Sequence, residues 1–301
     1  MPNLKDIKSR IKAVKSMSKL TRVMNMVAIS KMKKAQHAAA RGIPYADMLN
    51  GILNEVTARS GSYKHLLMEK RSMNRKLVVI VGSDKGLCGA LNTNLFRECA
   101  KYDTDTTLFI ALGAKATQFL QKTKRNFLID FSYSDPPNLS EARMICRFIT
   151  QLFLDDEIDS VDIIFSYFIS TFKQVPFTWN FLPVGLAQKG FDQMPESIRH
   201  TRPSLTTVPT SRSKDLGEFD FEPNAHSVYE SLLFRSLDYQ LLQIMREARA
   251  SVHSARMVAM KQATDNADEM IQKLELSHNN LRQAAITKDI LEISSAAAIS
   301  G

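Results

Sequence analysis

Cysteine is scarce. Cys88, Cys99 and Cys146 are the only three in 301 residues, and none has CxxC spacing, which excludes a disulfide framework and a thiolate metal cage. They read as reduced thiols. The six histidines, at 37, 65, 200, 226, 253 and 278, offer no two at ligand spacing, so no metal site is expected. Long apolar runs are also missing. The cleanest, Leu77 to Val81, is far short of the roughly 20 residues that cross a membrane. The start, MPNLKDIKSRIK, has no apolar signal core, so a soluble chain that stays in its compartment of synthesis is expected.

Residues 1–41 lack aromatics altogether and carry a single acid, Asp6, against eleven Lys or Arg. That segment has a balance of +10. The rest of the chain, with 29 basic and 30 acidic residues, has −1. A field concentrated in this way favours an anionic partner: nucleic acid, lipid headgroup or acidic protein surface.

Proline and glycine are absent between Pro2 and Gly42 and again from Ala225 to Ser300. In the first stretch Leu4, Ile7, Ile11, Val14, Met17, Leu20, Met24 and Val27 step by threes and fours, which predicts a helix of about 38 residues. In the second, the seam Met245, Ala248, Val252, Ala255, Ala259, Ala263, Asn266, Met270, Leu274, Ser277, Leu281 and Ala284 averages close to 3.5 residues per step. That is the period of a left-handed coiled coil. Two such helices flanking one inserted domain are expected to run antiparallel. Because the second is longer, its last turns, with Ile286, Ile290, Ile293 and Ala297, should overhang. So much apolar surface calls for an external sheath.

The insert reads differently. LVVIV (77–81), TTLFIAL (106–112), FLIDF (127–131), VDIIFSYF (161–168) and VPFTWNFL (175–182) are strand-like. Helical patterns at 92–102, 113–123 and 139–154 lie between them, the last opened by a capping arrangement at Asn138 and Glu141. Strand–helix alternation predicts a Rossmann-like α/β domain with a mostly parallel sheet. The expected organisation is an N-terminal helix region over 1–73, an α/β domain over 74–210 with a loose connector to about 224, and a C-terminal helix over 225–301.

After the first strand comes GSDKGLCG, residues 82–89. It misses the Walker spacing GxxxxGK[ST] and the dinucleotide fingerprint GxGxxG, so a tight strand-to-helix turn is expected there, not a phosphate cradle. Cys88 has no base near it in sequence, so it is no candidate nucleophile.

TRVMNMVAISKMKKAQ (21–36), GSDKGLCGALN (82–92), ARMVAMKQATDNADEMI (255–271) and LRQAAITKDILEI (281–293) strongly resemble the gamma-subunit family of rotary F-type ATP synthases. The four motifs cover both helices and the start of the insert. The resemblance implies a central rotor shaft, not itself catalytic and holding no cofactor. Its coiled coil would turn inside a ring of alpha and beta subunits and so couple transmembrane ion flow to ATP synthesis. Its α/β foot would meet an epsilon-type companion subunit and the membrane c-ring. Membrane association would be only through the complex, on the cytoplasmic side of a bacterial inner membrane. By motif position Arg282, Gln283 and Thr287 resemble residues that bind a catalytic-subunit loop. Met24, Lys31, Lys33 and Lys34 resemble the face set against an acidic lever. The overhanging Ile286, Ile290, Ile293 and Ala297 would form a bearing, and Lys85, Gly86, Cys88 and Gly89 a foot docking surface.

Blander readings stand beside these. Met24 fits an ordinary apolar stripe and the three lysines a solvated face. Arg282 lacks an acid at i±3 or i±4; Glu275 and Asp289 are both seven residues away. A nucleic-acid-binding coiled coil is disfavoured because residues 1–41 offer no aromatic to stack a base. A nucleotide-using enzyme is disfavoured by the loop spacing.

Overall fold

The computed structural model describes residues 4–59, 65–69, 71, 75–184, 222 and 224–299. The expected connector to about 224 lies almost wholly outside them. The chain divides into two compact units, Met1–Ala28 with Arg256–Gly301, and Ile29–Ala255.

The larger unit is built on a five-stranded sheet of order β3-β2-β1-β4-β5: β1 Lys76–Val81, β2 Thr107–Leu112, β3 Phe127–Phe131, β4 Ser160–Phe168 and β5 Gln174–Leu182. The first four are parallel and β5 returns antiparallel on β4. The central β1 is buried on both faces, as its unbroken apolar run requires. Edge strand β3 alternates half-buried and exposed residues. Helices α2 (Leu91–Cys99) and α3 (Ala114–Lys122) cover one face, where Leu95, Cys99, Ala116 and Leu120 meet Val78, Ile80, Phe109 and Ala111. On the other face Ile145, Ile149 and Phe153 of α4 (Leu139–Leu154), with Leu237, Leu241 and Met245 of α5 (Ala225–Ile299), meet Leu77, Val79, Ile110 and Leu112. The capping box at Asn138 and Glu141 forms as the sequence suggests.

Helix α1 spans Leu4–Arg59 and so runs past the expected stop at Gly42. A proline inside a helix removes a backbone donor and crowds the preceding turn, at a cost of about 3 kcal/mol. Packing on α5 carries the helix across Pro44. Arg246 Nη1 donates to Ala38 O at 3.1 Å, the Tyr45 and Tyr239 rings lie 4.2 Å apart, and Leu49 is buried. A β-carbon on Gly42 would come within 3.1 Å of Arg246 Nη1.

In the smaller unit α1 and α5 pair antiparallel. Lys15 bonds Glu275 at 2.6 Å, Ser18 bonds Asp268 at 2.6 Å and Thr264 bonds Thr21 at 2.7 Å. The seam of α1 in this unit runs through Leu4, Ile7, Ile11, Val14, Ser18, Thr21, Asn25 and Ala28, all buried or half-buried, in strict alternation of threes and fours, with Met24 half-buried at its edge. The predicted stripe departs from this seam after Val14, because it follows the apolar residues through three successive steps of three. Met17, Leu20 and Val27 are exposed instead. On α5 the seam is Met260, Thr264, Ala267, Ile271, Leu274, His278, Leu281 and Ala285. The expected Asn266, Met270, Ser277 and Ala284 face outward. Hydroxyls are tolerated in the seam because each finds a partner across it or on its own helix.

Candidate partner-binding surfaces

Three surfaces carry the candidate residues. The first is the end of α5. Extending the register of the buried Thr21–Thr264 pair, Leu4 lies level with about Leu281, so the turns beyond it have no α1 residue beside them among the described residues. Ile286, Ile290 and Ile293 are 50%, 60% and 71% exposed. Ala297 lies on the same helix, with its side chain outside the described residues. Arg282, Gln283 and Thr287 are exposed just before and among them. Thr287 Oγ1 donates to Gln283 O at 2.9 Å, and Glu275 is taken by Lys15, which leaves Arg282 no ion pair among the described residues.

The second surface is the basic face of α1. Met24 is half-buried at the edge of the seam, with Met17, Leu20, Val23 and Met26 exposed around it. Apolar periodicity alone hides this outward patch, because it assigns Met17 and Leu20 to the seam. The signal was there: Ser18, Thr21 and Asn25 hold the 3-4-3 spacing as well as the methionines and leucine do. Further along, Lys33 and Lys34 are exposed. Lys31 is already engaged, with Nζ 2.8 Å from Asp135 Oδ2.

The third is the loop after β1. Its glycines serve close approach and turning: Gly89 has φ 58° and Leu87 φ 62°. A β-carbon on Gly113, in the neighbouring β2–α3 turn, would meet Gly82 O at 2.7 Å. The loop's polar groups are satisfied internally. Asn92 Nδ2 donates to Ser83 Oγ at 2.8 Å and to Cys88 Sγ at 3.3 Å, and Ser83 Oγ donates to Lys85 O at 2.9 Å. Asp84 places a carboxylate 2.6 Å from Arg249 of α5, and negative charge here opposes an anion. Lys85 and Gly89 are exposed and Gly86 half-buried. Cys88 departs from the expected docking surface: it is buried against Leu91 and Val252, so it holds the loop to α5 from behind.

Arg249 lies 4.0 Å over the Tyr133 ring and donates to Tyr133 O at 3.0 Å. Burial pushes the Tyr133 phenol up to about 12, so it stays neutral beneath the guanidinium.

The profile of the family described as ATP synthase matches residues 3–299. The ATP synthase gamma chain of Methylacidiphilum infernorum is 36% identical over 301 residues, covering 98% of each chain. The chain belongs to the ATP synthase gamma-chain family. A second member, from Opitutus terrae, is 36% identical over 297 residues, again with 98% of each chain covered. The fold matches rotor chains of mitochondrial ATP synthases. One, from the central stalk and c-ring of Tetrahymena thermophila, has a TM-score of 0.59 at 19% identity and covers 81% of this chain and 99% of its own. Another, from the Euglena gracilis rotor, has a TM-score of 0.61 at 15% identity, with 94% and 98% covered. At such identities the likeness speaks for fold alone. No helix among the described residues is long and apolar enough to cross a membrane.

Proposed function

We propose that the chain is the central shaft of an F-type ATP synthase head, a subunit that does no bond chemistry. Ion flow turns its foot, and the turning helix pair drives surrounding catalytic sites through successive states. One observation carries this reading: α5 ends in turns whose isoleucines are exposed with no α1 residue beside them among the described residues. Apolar surface of that kind demands a collar. An apolar collar lacks directional bonds, so it can slip between rotational positions.

In this reading Ile286, Ile290, Ile293 and Ala297 form the bearing in a ring of alpha and beta subunits. Arg282, Gln283 and Thr287 bind a loop of one catalytic subunit. Met24, Lys33 and Lys34 face its acidic lever, which must compete with Asp135 for Lys31. Lys85, Gly86 and Gly89 dock at the foot, where an epsilon-type companion and the membrane c-ring attach. The parts are 1–73, 74–210 and 225–301, and the complex sits on the cytoplasmic face of a bacterial inner membrane.

The test is reconstitution of the catalytic ring with and without the chain. Strong stimulation of steady-state ATP turnover is expected; equal turnover would refute the reading. Arg282→Ala with Gln283→Ala should weaken coupled synthesis or assembly, and wild-type synthesis would remove that pair from the contact set.

A further inference from the structure

Within the larger unit, the loop after β3 reaches both long helices through one side chain. Asp135 has its two carboxylate oxygens 3.1 and 3.0 Å from His253 Nε2 on α5, and Oδ2 lies 2.8 Å from Lys31 Nζ on α1. His253 is buried, at 3% exposure. An ionised carboxylate only accepts, so the His253 Nε2–H donates. One turn earlier on α5, Arg249 grips Asp84 and Tyr133. One residue later, Ser254 Oγ donates to Thr171 O at 2.7 Å in the β4–β5 hairpin. Loops at the ends of β1, β3 and β4 thus converge on a single stretch of α5. Of these contacts, the one at Asp135 also takes in α1.

Apolar packing and hydrogen bonds resist different displacements. The core beneath α5 opposes separation of helix from sheet, but apolar contact has no direction and resists sliding or rotation poorly. Charge-assisted hydrogen bonds are short and oriented, so they fix the rotational setting of the groups they join. On α1, Ile52 and Leu53 make apolar contact with the sheet domain's core, while Lys31 supplies an oriented bond to it.

We propose that Asp135 is a positioning residue for force transmission: it pins α1 and α5 to the sheet domain in one rotational setting, so that a turning force on that domain reaches both helices. The inference rests on the shaft reading and adds a part to it. Removing the carboxylate charge leaves the apolar core intact and lets the helices lag the domain, which costs coupling before it costs assembly.

The experiment uses the complete reconstituted synthase, measuring ion-driven ATP synthesis and ATP-driven ion pumping against ATP hydrolysis in the same preparation. Asp135→Asn should lower the ratio of synthesis to hydrolysis by about threefold or more, the scale on which contiguous polar networks alter coupling. Asp135→Glu should restore most of the ratio. His253→Gln combined with Asp135→Asn should be no worse than Asp135→Asn alone, since both act through one joint. His253→Gln, which keeps a donor and the approximate size, reads the same joint should the asparagine variant fail to assemble. A merely structural role would lower synthesis and hydrolysis together, in proportion to the complex recovered; that result, or a wild-type ratio in the variants, overturns the proposal. If the wild-type chain itself fails to couple, it is the shaft reading that falls.

Discussion

Thr264 Oγ1 donates to Thr21 Oγ1 across 2.7 Å at a buried position between α1 and α5. Thr21 in turn donates to Ser18 O at 3.0 Å, and Thr264 has Met260 O within 2.8 Å as a second acceptor. Removing either hydroxyl alone should cost about 1 kcal/mol, while removing both replaces a matched polar pair with a matched apolar one. Thr21→Val and Thr264→Val should therefore be non-additive, the double variant lying well below the sum of the singles in urea unfolding of the purified chain. Strict additivity would mean that the hydroxyls do not act as a pair.

The displaced seam has its own consequence. Leu20 faces outward and Ala28 inward, the reverse of what their hydrophobicity suggests. Leu20→Gln should leave the chain's stability within about 0.5 kcal/mol. Ala28→Leu, which forces a larger side chain between close helices, should cost about 1–3 kcal/mol. Thermal melts of the two variants decide the matter, and the opposite ranking would restore the stripe drawn from apolar periodicity alone.

Gly113 has φ 98° and its missing β-carbon would press on Gly82 O at 2.7 Å. Gly113→Ala should cost on the order of 1–3 kcal/mol through strain and collision. Gly86→Ala in the neighbouring loop, where a β-carbon meets nothing within 4 Å, should be close to neutral. Equal losses measured by melting would show that the β1 loop and the β2–α3 turn do not need their close approach.

The Asp135 joint has a pH signature. The hydrogen bond from His253, with Lys31 beside it, holds the Asp135 carboxyl well below the usual carboxylate range. A depressed carboxyl contributes stability that is fully present above its unfolded value, about 3.9, and that is lost as pH falls through the folded value. The melting-temperature gap between wild type and Asp135→Asn should thus be present at about pH 5 and shrink below about pH 4. A gap that widens on acidification would contradict the assignment.

Much of this fold was legible before any coordinate. The strand FLIDF and the helix over 139–154 fall where alternation and capping put them, because local pattern and tertiary environment agree there. The length of α1 was not legible, since Pro44 is overridden by contacts with Arg246 and Tyr239 some 200 residues away in sequence. The α1–α5 seam was legible in period but not in phase: Ser18 and Thr21 look like surface residues until their partners Asp268 and Thr264 are seen. Among the candidate contact residues, the exposed state of Ile290 and Arg282 agrees with the sequence argument. The engagement of Lys31 and the burial of Cys88 depend on Asp135 and Val252, which no local pattern connects to them.

Rotation itself is the direct measurement. With the catalytic ring immobilised and a probe on an exposed residue of α3 such as Lys122, ATP should drive the probe continuously in one direction, and the motion should stop when nucleotide is removed. A probe that only fluctuates about a fixed angle while the same complexes hydrolyse ATP at full rate would contradict a turning shaft.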